Sequence, residues 1–296
     1  MMAAFDKFDL TIIGERISPG YKSTKALIDA SDVAGLQELA VKQAEAGAAY
    51  IDVHLGARAV TDPDFAPIVI RGLQEKVSVP LSFDFAEVVA QEACLRAYQP
   101  EKARGRLPIV NSITEQRWEF MGLYPLAPFK VIVMASERME GGIARSNKTA
   151  ADIAGTARRA ALRLANEHGM AMDDIFIDVS VRAIIADTEG MNRSVLESIR
   201  LIRNDAGLRG IHIMGALTNI GQQMPAKAVD GSDLKHALEN AFLTIAVPYG
   251  LDTVMGTPWR GYQPLPEDSH VMKTYRAFLE QSGTNALRVV RKFYRA

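Results

Sequence analysis

Eight short apolar runs rich in β-branched residues recur along the chain, each followed by a stretch with helical spacing. This alternation limits the fold more than any other feature. The runs are DLTIIG (9–14), AYIDVHL (49–55), VPLSFD (79–84), LPIVNS (107–112), KVIVMAS (130–136), DIFIDVS (174–180), GIHIMGA (210–216) and LDTVMG (251–256). Their nearly continuous apolar character suits strands buried on both faces, as in a parallel sheet. The helical stretches between them carry their own punctuation. SDVAGLQELAVKQAEAGA offers Ser31 and Asp32 as caps, spaces Val33, Leu36, Leu39, Ala40 and Gln43 at three to four residues, and stops at Gly47. TAADIAGTARRAALRLANEHG begins at Thr149 and ends at Gly169, and GSDLKHALENAFLTIAVPYG runs from Ser232 toward Gly250.

Eight strand–helix units in 296 residues predict an α/β fold, a single-domain (β/α)8 TIM barrel spanning 1–296 with a short helical extension over 265–296. A doubly wound dinucleotide fold would place G-x-G-x-x-G after the first strand, and IIGERISPG lacks it. No linker, low-complexity segment or repeat divides the chain.

Charge and cysteine content narrow the partners. The formal net charge is −1 with both signs interspersed, which argues against a nucleic-acid surface or a polybasic membrane patch. No apolar run approaches the roughly 20 residues of a membrane span, and MMAAFDKFDLTIIGER lacks the basic start of a signal peptide. The one cysteine, Cys94, allows no intrachain disulfide, suits a reducing cytoplasm, and lies on a helical pattern that makes it a buried, inert thiol. A small molecule is the expected ligand.

In a parallel barrel, side chains at the carboxyl ends of the strands converge on one mouth. Here those ends supply Glu15 and Arg16, Asp52 and His54, Asp84, Asn111 and Ser112, Asp178, and Thr218 and Asn219. Singly, Asp and Asn at such positions are ordinary helix caps or Asx-turns, and Glu15 with Arg16 reads as an ion pair. Asp52, inside an apolar run, needs a hydrogen-bond partner whether or not it meets a ligand. Together these acids and amides form a ring suited to a flat, neutral heterocycle. A carboxylate accepts two N–H bonds from an amidine-like edge, and a carboxamide both donates and accepts. A pterin has both edges.

The histidines show no metal-ligand spacing, so no bound metal is expected. His168 and His270 read as solvated, His212 as a core residue, and His54 as facing the mouth. Neither G-x-S-x-G nor a P-loop occurs. MEGGIARSNK (139–148) reads as a flexible loop, with a lid or an anion-binding segment as alternatives.

Taken in order, IIGERI, YIDVHLGA, LSFD, IVNSITE, IFIDVSV and GALTNIGQ resemble the successive strand-end motifs of the pterin-binding TIM-barrel superfamily. That superfamily includes dihydropteroate synthases, the folate domain of methionine synthase and the methyltetrahydrofolate:corrinoid methyltransferases. The Leu-Thr-Asn segment resembles the methyltransferases. A dihydropteroate synthase would carry lysine and Ser-x-Arg motifs where this chain has LTNIGQQMPAK.

The resemblance implies methyl transfer between N5 of tetrahydrofolate, or 5-methyltetrahydrofolate in the reverse direction, and the cobalt of a corrinoid carried by a partner protein, by a cytoplasmic homodimer. Asp84, Asn111 and Asp178 would bind the pterin and Asn219 would act at N5. Gly215 would let the backbone approach, and Gln222 and Lys227 would add contacts, with Glu15, His54 and Ser112 as further candidates. Trp259 and Tyr262 in GTPWRGYQPLP are candidates to meet the partner, with a packed C-terminal turn as the alternative. His54, Phe85 and Lys227 depart from the pattern, Lys227 standing where an arginine is usual. A pteroate-forming enzyme and a noncatalytic folate-binding subunit are the alternatives, and the direction of transfer, toward corrinoid or toward folate as in O-demethylation, is open.

Overall fold

The computed structural model describes residues 7–295, so the MMAAFD start of the N-terminal reading lies outside the described residues. Among the described residues ten strands occur: β1 (Thr11–Ile17), β2 (Tyr50–Val53), β3 (Leu81–Asp84), β4 (Ile109–Ile113), β5 (Lys130–Met134), β6 (Glu137–Glu140), β7 (Ile143–Ser146), β8 (Ile175–Asp178), β9 (His212–Ala216) and β10 (Thr253–Gly256). All but β6 and β7 close into one barrel of parallel strands, ordered β1-β10-β9-β8-β5-β4-β3-β2, with helices between successive strands. This is the (β/α)8 TIM barrel, and each of the eight apolar runs became one of its strands.

Why the polar ring sits where it does follows from strand pleat. Ile13, Ile109, Ile132, Phe176, Met214 and Met255 pack inside the barrel as one apolar plug, with Tyr50 against it. Side chains two residues apart share a face. The next inward positions after Ile13, Tyr50, Ile109 and Phe176 are therefore Glu15, Asp52, Asn111 and Asp178, one layer nearer the mouth. Asp84 pairs with Asn111 in the β3–β4 register and joins the same layer.

The helices start and stop largely where the sequence marks them. Thr149 caps Ala150–His168 in a reciprocal box with Asp152, and Gly169 ends it at φ 65°. Asp233 rather than Ser232 caps Leu234–Tyr249, accepting from the His236 amide. Asp32 caps Val33–Glu45, which buries Leu36, Ala40 and Gln43 but ends at Ala46, one residue before Gly47. Two helices, His270–Leu279 and Gly283–Lys292, follow the barrel and bury Tyr275 and Phe293. No helix among the described residues is long and apolar enough to cross a membrane.

Several local expectations need correction. The segment 139–148 is not a plain loop, because most of it folds into the antiparallel hairpin β6–β7 with glycines 141 and 142 at its tip. Glu15 and Arg16 form no ion pair, since neighbours on a strand point to opposite faces. Glu15 turns inward, while Arg16 lies 3.5 Å above the Tyr21 ring. His168 is half-buried and packs edge-on against Tyr124 rather than standing in solvent. His212 stacks on Phe176 at the barrel floor, within 3.5 Å of Asp252. The Cys94 expectation stands: the side chain is fully buried, and burial pushes its thiol up to about 12.

Candidate active site

At the centre of the mouth, Asp52 is 3% exposed and accepts hydrogen bonds from Ser82 Oγ at 2.7 Å and Asn111 Nδ2 at 3.3 Å. Its predicted partner is thus supplied by the neighbouring strand β3 and by β4, the strand beyond it. The Asn111 amide is oriented by this contact, with its carbonyl oxygen left as an acceptor. Burial, and then the neighbouring Asp84 charge, push the Asp52 carboxyl well above its ordinary range. Asp84 is itself raised by burial, against the opposing pull of His54 and Arg117. His54 Nδ1 lies 2.7 Å from the Asp84 carbonyl oxygen, and its ring faces the buried Phe85. Asp178 accepts from the Ser180 amide at 2.7 Å, and burial raises it to about 6.

A second group gathers around β1 and the turn after β9. Tyr21 donates to Glu15 Oε1 at 2.7 Å and Thr218 to Oε2 at 3.2 Å. The Glu15 carboxyl is raised, chiefly by burial. Asn219 follows Thr218 on the turn Leu217–Asn219, and its Oδ1 accepts from Gln222 Nε2 at 2.8 Å.

Two cavities open at this end of the barrel. One of about 630 Å³ has Glu15, Asp52, Asp84 and Thr218 in its wall, with Tyr21 and Trp259 nearer the rim. The other, about 610 Å³, is bordered by Asn219, Arg182 and Lys148. Gln222 borders both.

The expected residues divide accordingly. Glu15, Asp84, Asn111 and Asp178 belong to the inward layer, His54 touches it, and Asn219 and Gln222 stand at its edge. Ser112 is buried, 3.5 Å from Arg117 Nη2. Lys227 is exposed, pairs its backbone with that of Asp233 in an isolated antiparallel bridge, and borders neither cavity. Gly215 does not face the mouth: a Cβ there would sit 2.7 Å from Val181 Cγ2, so its small size serves packing behind the strand rather than ligand approach. Tyr262 is buried, its hydroxyl accepting from the Thr257 amide, whereas Trp259 is 38% exposed with Lys42 Nζ 4.4 Å from its ring. Sequence reasoning missed Tyr21 and Arg182. Both lie in loops beyond strand ends, where no periodicity marks a residue as inward-facing.

A parallel barrel whose mouth gathers acids and amides, with an apolar plug beneath, defines a site for a polar, flat small molecule. The chain belongs to the pterin-binding enzyme family, whose model matches residues 17–255. A methylcorrinoid:tetrahydrofolate methyltransferase of Eubacterium limosum is 24% identical over 262 residues, covering 84% of this chain and 85% of that protein. Among solved structures, dihydropteroate synthase of Thermus thermophilus matches with a TM-score of 0.56 at 15% identity, over 92% of this chain and 95% of that one. The dihydropteroate synthase of Vibrio fischeri matches with a TM-score of 0.55 at 14% identity, over 94% and 100%. These structural likenesses establish the shared barrel.

Proposed function

We propose that the chain transfers a methyl group between N5 of tetrahydrofolate and the cobalt of a corrinoid presented by a partner protein. The observation that carries this reading is the join of two arrangements at one mouth: the Asp84, Asn111 and Asp178 layer, and the Asn219–Gln222 amide pair on the turn beside it. Asp178 and Asp84, when ionised, accept N–H bonds from the amidine edge of the pterin, and Asn111 serves its amide edge. The methyltransferase relative supports the reaction type.

Asn219 has its carbonyl oxygen engaged by Gln222, which leaves its Nδ2 as a donor. A donor suits N5 in the demethylating direction, where it bonds the electron pair left on N5 as the N5–methyl bond breaks and solvent supplies the proton that N5 gains. In the folate-methylating direction that pair attacks the methyl on cobalt and N5 gives its proton to solvent, so the Asn219 contact holds N5 in place before attack and releases it at that step. Holding the methyl in line with cobalt supplies much of the remaining rate enhancement. The same reading brings a corrinoid protein to the mouth, with exposed Trp259 on its contact rim, and a homodimer in the cytoplasm.

The test is to mix the protein with 5-methyltetrahydrofolate and Co(I) cobalamin and record the visible spectrum. Methylcobalamin formation supports transfer. Folate binding without spectral change indicates a noncatalytic binder, and condensation of a pterin pyrophosphate with 4-aminobenzoate indicates a pteroate-forming enzyme.

A further inference from the structure

The Asn219–Gln222 pair stands beside two cavities, both lined by charges of both signs. The first has Glu15, Asp52 and Asp84 with Arg16 and Arg260, and the second has Arg182 and Lys148 with Asp187 and Glu189. Lys148 is engaged by Glu189 at 2.8 Å across the rim. Arg182 is half-buried and has no hydrogen-bond or ion-pair partner among the described residues. A guanidinium that lines a cavity with no protein acceptor on its donors is free to take one from a ligand.

The loop that carries Arg182 is held firmly. Asp187 accepts from the Met191 and Asn192 amides, both at 2.8 Å. The Gly283 amide, from the C-terminal helical pair, donates to the Thr188 carbonyl at 2.7 Å. Ser180, two residues before Arg182, sits at φ 59°, a conformation a non-glycine residue keeps only when its surroundings enforce it. The backbone that carries Arg182 is therefore placed before any ligand binds. The Arg182 charge is felt by Asp178, so the second cavity adjoins the inward layer.

We infer that this second cavity is a carboxylate-binding subsite, in which Arg182, aided by Lys148, holds the glutamyl tail of a folate whose pterin ring lies in the barrel mouth. The inference rests on the pterin reading above. A planar guanidinium matches a carboxylate in bidentate fashion, and the cavity is of a size that takes a drug-sized group. With N5 at Asn219 and the ring toward Asp84, the rest of the molecule passes to the Arg182 side. Glu189 then occupies Lys148 until the ligand carboxylate replaces it.

Calorimetric titration of the full chain tests this with 6-methyltetrahydropterin, which lacks the tail, tetrahydrofolate and tetrahydrofolate triglutamate. The wild type is expected to bind tetrahydrofolate about tenfold or more tighter than the tailless pterin, the gain of one charged bidentate contact. Arg182→Ala removes that advantage and leaves tailless affinity unchanged, which also shows that the variant is folded. Lys148→Ala removes a smaller part. An Arg182→Ala variant with unchanged tetrahydrofolate affinity overturns the subsite, as does an equal loss for the tailless pterin. Equal wild-type affinity with and without the tail overturns the subsite alone, whereas a wild type that binds none of the three overturns the pterin reading and the subsite with it.

Discussion

Gln222 Nε2 donates to Asn219 Oδ1 at 2.8 Å, three residues earlier in the chain, and the contact fixes which end of the Asn219 amide is free. An isolated asparagine could present either end. On the methyl-transfer reading, Asn219→Ala lowers turnover on the order of a hundredfold and folate affinity by less than about threefold, because the lost contact strengthens only as the N5–methyl bond changes. Gln222→Ala costs about tenfold in turnover by releasing the amide, and the double variant is no slower than Asn219→Ala alone. Single-turnover methyl transfer alongside folate titration checks this. Equal losses in turnover and affinity for Asn219→Ala would reject the role.

The barrel was legible because strand burial writes itself into sequence: all eight apolar runs became barrel strands, and the pleat that buries Phe176 also aims Asp178 at the mouth. Gly215 shows the limit. A glycine at a strand end reads equally as room for a ligand or room for a neighbour, and only the 2.7 Å approach of Val181 decides between them. The hairpin β6–β7 was missed for a related reason, since Gly141 and Gly142 mark a turn but not what flanks it. Arg182 gave no signal at all, because its value lies in having no partner, which is a property of the folded molecule.

Gly215→Ala is expected to destabilise the fold by about 1–3 kcal/mol through overpacking against Val181. Val181→Ala in the same chain relieves the clash and recovers part of the loss. Urea denaturation of the two single variants and the double variant measures this. Pterin affinity of the folded Gly215→Ala protein stays at the wild-type level, and a selective loss of affinity would instead place Gly215 at the ligand.

His212 at the barrel floor contributes a pH-dependent stability. The carboxylates of Asp252, 3.5 Å from its Nδ1, and Asp173, 3.3 Å from its Nε2, raise its basicity above the ordinary histidine range. The folded state then holds the proton more tightly than the unfolded chain. The stabilisation is complete below about pH 6.5, the unfolded value, and is lost as pH rises through the higher folded value. Thermal unfolding followed from pH 6 to 9 is expected to show a decline that His212→Gln flattens. An unchanged slope in that variant would assign the decline elsewhere.

Asp178 carries the same sign in a lower pH window and links pH to ligand binding. Burial raises its carboxyl to about 6, above the roughly 3.9 of an unfolded chain, so between these values the folded state binds more protons and loses stability as pH rises. Asp178→Asn, which keeps an acceptor for the Ser180 amide, is therefore expected to unfold at a higher temperature than wild type above pH 6 and at a similar one near pH 4. Binding runs the other way, because only the ionised carboxylate accepts both N–H groups of an amidine edge. Pterin affinity of the wild type should rise with pH through about 6, and Asp178→Asn should bind more weakly with that rise abolished. Calorimetric titrations at pH 5, 6, 7 and 8 read both effects together. A variant that keeps the wild-type pH profile would remove Asp178 from the pterin contacts, whatever its effect on stability.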